Sequence, residues 1–164
     1  MIMAVMAVLP AHSEELVVSP LAPPDTSSPR ATFEGFRADM KLGFGGMHQG
    51  RDEMLPIEEQ AVGRAIGALD VSRLPPVRAQ RLAIEAALLL NDVLDRVTLP
   101  AAEEIPDGAA MAELPSDAPR EWRVPGTAIE IARVTEGPRT GQYLFSADTV
   151  ARAWDFYALA ANMP

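Results

Sequence analysis

Imidazole chemistry in this chain rests on two side chains, His12 and His48, and thiolate chemistry on none, because the sequence contains no cysteine. Disulfides, thiolate nucleophiles, iron–sulfur clusters and cysteine-built zinc sites are all removed at once. His48 stands in a glycine-rich stretch with Asp52 and Glu53 just beyond it. A histidine and two acids can hold a metal, but no H-x-x-x-H or H-E-x-x-H spacing supplies the remaining ligands, so the stretch reads as a hinge and no metal site is expected. The run Gly43-Phe-Gly-Gly46 lacks the Gly-Lys-Ser/Thr ending of a phosphate-binding loop. Among carboxylates, Glu85, Asp92 and Asp95 lie along one predicted helix. Seven residues of helix span about 10 Å, the outer limit for an inverting glycosidase pair, and Arg81 and Arg96 at four-residue spacing favour a solvated, ion-paired face instead. None of the seven serines lies in G-x-S-x-G. Gly137-Pro-Arg-Thr-Gly141 offers backbone amides and Arg139, which can grip an anion, although a plain reversal explains the same residues. This inventory predicts neither an enzyme nor a cofactor.

The elements that would carry such residues must come from a chain of 164 residues, the size of one domain. Its net charge of -9 repels polyphosphate, so nucleic acid is not an expected partner. The opening apolar run Met1–Leu9, followed by Pro10-Ala11-His12-Ser13, resembles the end of a secretory signal, with residues 1–13 as its remnant. It is too short for a membrane span, which takes about 20 apolar residues. Residues 14–28, with Pro20, Pro23 and Pro24 among Ser and Thr, read as a linker. Residues 29–164 form the predicted domain.

Ser28 as cap and Pro29 at the first position predict a helix to about Lys41, carrying Phe33, Phe36 and Met40, with the glycines from Gly43 onward ending it. Ile57, Ala61, Ala65 and Leu69 predict a second helix from Pro56 to about Asp70. The strongest periodicity runs from Val77 to Val97, where Ala86, Leu89, Leu90, Val93 and Leu94 make a wide apolar face expected to centre the core. Residues 99–121, with Pro100, Pro106, Pro115 and Pro119 among acids, read as a solvated acidic loop. Alternation in Ile129–Val134 and again in Gln142–Phe145 predicts a β-hairpin. Ser146 then caps a closing helix whose stripe of Val150, Trp154 and Tyr157, flanked by Phe156, is expected to face the core. The expected class is α+β, with three to four helices packed on one small antiparallel hairpin near the C-terminus. Should part of this end face outward, Arg139, Tyr143, Trp154 and Tyr157 are the candidate contact surface.

Several blocks in order carry a family likeness. Trp122-Arg-Val-Pro-Gly-Thr-Ala-Ile-Glu-Ile-Ala-Arg-Val, Glu136-Gly-Pro-Arg-Thr-Gly-Gln-Tyr-Leu-Phe-Ser and Asp148-Thr-Val-Ala-Arg-Ala resemble the N-terminal extramembrane segment of bacterial small-conductance mechanosensitive (MscS-like) channel proteins. Upstream, Ser28-Pro-Arg-Ala-Thr-Phe-Glu-Gly-Phe, Ala68-Leu-Asp-Val-Ser-Arg-Leu-Pro-Pro and Val93-Leu-Asp-Arg-Val-Thr-Leu-Pro are similar to the same segment. The likeness covers residues 28–164 and implies a periplasmic, non-catalytic domain. Its implied partner is the membrane channel portion of the same or a related protein, with homo-oligomerisation possible. The pore helices that follow in that family are not among these residues. The alternative is a free-standing periplasmic module that binds a small ligand or a protein.

Overall fold

The computed structural model describes Ser19 and residues 21–47 and 50–161, so the proposed signal remnant, His12 and His48 lie outside the described residues. Among the described residues the architecture is α+β, six α-helices with one three-stranded antiparallel sheet. Helix α1 spans Pro29–Gly45 and α2 spans Pro56–Gly67. Ser28 Oγ accepts the Ala31 N–H at 3.1 Å, and Pro29 sits where a missing N–H leaves nothing unpaired. Contrary to expectation, α1 does not stop at Lys41. It continues through Gly43 because α2 crosses there so closely that a Cβ on Gly43 would lie 2.6 Å from Val62 Cγ2. Packing thus overrides the low helical propensity of glycine.

Helix α2 starts with Glu58 Oε2 accepting the Leu55 N–H at 2.7 Å. Ala61 and Ala65 face the core, while Ile57, predicted on the apolar face, is exposed. After a single 3-10 turn at Pro76–Arg78, α3 runs Ala79–Arg96 and buries Ala83, Ala86, Ala87, Leu89, Leu90, Val93 and Leu94, as its periodicity required.

Residues 99–121 are more structured than their composition suggested. A 3-10 turn at Ala102–Glu104 leads to buried Ile105, and α4, Gly108–Glu113, is capped by Asp107 and buries Met111. Two apolar anchors suffice to tether this proline-rich stretch to the core. Strand β1, Glu121–Arg123, then pairs with β2, Glu130–Arg133, which pairs with β3, Tyr143–Phe145. The hairpin is therefore two strands of a three-stranded sheet ordered β1-β2-β3, with β2 in the middle. Gly137 and Gly141, at φ of 84° and 93°, supply the left-handed backbone its reversal needs.

Helix α5 covers Ala147–Ala151, with Ser146 Oγ accepting the Thr149 N–H at 3.2 Å, and α6 covers Ala153–Ala160 after a break at Arg152. The break rotates the buried stripe to Val150, Ala153, Phe156 and Ala160. Trp154, expected inside, faces outward. The proline-rich approach is tied down from residue 24 onward, since the Thr26 carbonyl accepts the Tyr143 N–H at 2.8 Å and Pro24 lies over Gly67.

Candidate contact surface

The candidate residues fall into two groups. Arg139 and Tyr143 belong to the inner structure. The Arg139 guanidinium donates to the Leu69 carbonyl at 3.1 Å, to the Gly67 carbonyl, and to Gln142 Oε1 at 2.9 and 3.0 Å, so it closes the end of α2 against the hairpin turn. Desolvation lowers its pKa, with nearby Asp70 acting in the opposite sense. The anion grip considered from the sequence is therefore corrected: carbonyl and amide oxygens already occupy the guanidinium. Tyr143 is buried, with its N–H bonded to the Thr26 carbonyl.

Trp154 and Tyr157 form the second group, on α6. Their rings meet edge to face with centroids 5.8 Å apart, and Trp154 Nε1 donates to Glu85 Oε1 at 2.7 Å. Glu85, expected to pair with Arg81, instead fixes the indole across the α3–α6 seam. Trp154 remains 58% exposed. Beside it lies a groove of about 270 Å³ whose walls include Leu74, Leu82, Leu89, Val150 and Ala153. Arg73 and Glu85 stand among its lining residues, Arg73 paired to Asp148 at 3.1 Å. The groove thus has an apolar floor with charged groups at its edge and one half-exposed tryptophan beside it.

Other charged groups are spent on internal ties that sequence reasoning missed. Asp39 bridges α1 to α2 by accepting from Arg64 Nη2 at 2.6 Å and Nε at 3.0 Å. Its place between Phe36, Met40 and Gly43 on the apolar face of α1 was the available signal. Glu58 is buried, and the Arg51 guanidinium together with the Leu55 N–H holds its carboxyl below the ordinary value of 4.5. Asp107 is likewise held below 3.8, first by the Ala110 N–H and then by Arg30. Asp92 makes the expected pair with Arg96 at 3.0 Å, whereas Asp95 pairs with Arg37 on α1 at 2.6 Å. Asp52 and Glu53 are exposed, and among the described residues no three histidine, aspartate or glutamate side chains gather into a metal-holding group.

Among the described residues no helix is long and apolar enough to cross a membrane. No family model, curated protein or solved structure matches the chain.

Proposed function

We propose that this chain is a non-catalytic periplasmic domain of a mechanosensitive-channel-type protein that supports or tunes a membrane channel through protein contacts. The observation that carries the reading is Trp154, held half-exposed by Glu85 beside an apolar groove with a charged rim. Tryptophan anchors of this kind dominate the energetics of protein contacts. Contact is favoured over chemistry because Asp39, Glu58 and Arg139 spend their bonding capacity inside the fold. Export is supported by the short apolar opening followed by small residues, and the channel by the ordered blocks between residues 28 and 164.

The test joins topology to gene structure. Alkaline phosphatase fused after Ala161 should be active in cells and lose activity when residues 1–13 are deleted. The reading frame beyond Pro164 should encode at least two runs of about 20 apolar residues. A cytosolic fusion, or a frame that closes without such runs, would refute the channel reading. An exported chain with a closed frame would favour the free-standing binding module.

A further inference from the structure

The two edges of the sheet are treated differently. The outer edge of β3 is fully paired: Tyr143 N–H donates to Thr26, and its carbonyl accepts from Thr32 Oγ1 at 2.7 Å. Phe145 N–H donates to the Ala68 carbonyl at 3.0 Å, and the Phe145 carbonyl accepts the Asp70 N–H at 3.0 Å. The edge of β1 has no such cover. The bonds Arg133 N–H to Arg120 at 2.8 Å and Val124 N–H to Ile129 at 2.9 Å bracket the pair Trp122–Ile131. In an antiparallel ladder residues alternate, so residues 120, 122 and 124 turn their backbone groups to β2, and Glu121 and Arg123 turn theirs away. Among the described residues these outward N–H and C=O groups have no partner.

Their side chains carry opposite charges on the solvent face, with Glu121 37% and Arg123 60% exposed. Trp122 lies on the other face, edge-on to Phe33 at 5.5 Å. The sequence Glu-Trp-Arg is thus a charge palindrome centred on Trp122. We propose that the free edge of β1 joins a second copy of this chain in antiparallel register, with a two-fold axis at Trp122, so that two three-stranded sheets become one of six strands. Glu121 of each copy then lies opposite Arg123 of the other. The four outward N–H groups of the two copies meet the four outward carbonyls, and the two tryptophans become a close cross-strand pair on the inner face. Arg123, already 2.9 Å from Glu130 and 3.4 Å from Glu121 of its own strand, would gain the partner's Glu121 as a third carboxylate.

The register selects a second copy over an arbitrary strand. A one-residue shift turns every side chain to the wrong face. Centring on Glu121 or on Arg123 sets like charges directly opposite, which is unfavourable. Short, charged edges usually prevent association, and a run of one sign would do so here. Among two-fold antiparallel pairings of this edge with itself, Glu-x-Arg disfavours the neighbouring registers and favours this one. The inference is independent of the channel reading, because it uses only the edge and its charges.

Sedimentation equilibrium of the full chain near 0.15 M salt, where charges beyond about 8 Å are screened, tests it. The wild type should show a monomer–dimer equilibrium at concentrations up to about 1 mM. Arg123→Glu and Glu121→Arg alone should each dimerise at least about tenfold more weakly, since each sets two like pairs opposite. An equimolar mixture of the two variants should recover association as a heterodimer, because Arg meets Glu at both positions again. Circular dichroism of each variant confirms folding. Should one charge variant misfold, Glu121→Gln, which removes the charge and keeps the shape, should still weaken the dimer. A wild type that stays monomeric to about 1 mM, charge variants that associate as the wild type does, or a mixture that remains monomeric would each overturn the proposal.

Discussion

Gly43→Ala should destabilise the domain while Gly35→Ala, two turns earlier on the same helix, should stabilise it. Both replace glycine within α1, and the helical propensity gained is about 1 kcal/mol at either position. The surroundings decide the sign. An added Cβ at Gly35 meets nothing within 4 Å, so the gain stands. At Gly43 it would lie 2.6 Å from Val62 Cγ2 and 3.3 Å from both the Glu58 carbonyl and the Val62 nitrogen. Valine is stiff at χ1 and two of the three atoms are backbone, so α1 and α2 must separate rather than a side chain step aside. Overpacking of this kind costs about 1–3 kcal/mol, which leaves Gly43→Ala about 1 kcal/mol less stable than the parent. In a chain of this size each kcal/mol moves the midpoint by about 2–4 °C, so thermal melting should show shifts of opposite sign. Adding Val62→Ala to Gly43→Ala should recover part of the loss. Equal stabilisation at the two glycines would refute the close helix crossing.

Three further predictions follow from packing and charge. Leu90→Ala should cost about 2–5 kcal/mol in urea unfolding, and Leu89→Ala less, because Leu90 is fully enclosed whereas Leu89 borders the Trp154 groove. Arg139→Met should cost about 1–3 kcal/mol by leaving the Gly67 and Leu69 carbonyls unpaired, and Arg139→Lys should recover only part of it because an ammonium lacks the planar fork. Glu58 and Asp107 have lowered folded-state pKa values, so the stability they contribute is present above their ordinary values of 4.5 and 3.8 and is lost as pH falls through the folded values. Glu58→Gln should therefore flatten the acid side of a stability–pH profile below about pH 4.5 and leave its shape near pH 7 unchanged.

Elements with strong local signals were legible in the sequence. Ser28-Pro29 set the start of α1, the apolar face of Ala86, Leu89, Leu90, Val93 and Leu94 set α3, Ser146 set α5, and alternation set β2 and β3. What escaped depended on distant partners. Helix α1 outlasts its glycines because α2 approaches Gly43, and β1 forms because β2 offers an edge to a strand only three residues long. Residues 102–113 order themselves around Ile105 and Met111, which composition averages conceal. The contact surface was half legible. Trp154 and Tyr157 meet as neighbours, but a break at Arg152 too local for periodicity to reveal turns the indole outward. Arg139, offered as a surface residue, is drawn inward by carbonyls some seventy residues away in sequence.

Patch-clamp recording of membranes that carry the native gene product, intact and with residues 29–161 deleted, measures the proposed role most directly. The account predicts a tension-gated current in both, with the activation threshold shifted by the deletion and shifted in the same direction by Trp154→Ala. An unchanged threshold in both variants, or membranes without a tension-gated current, would contradict it.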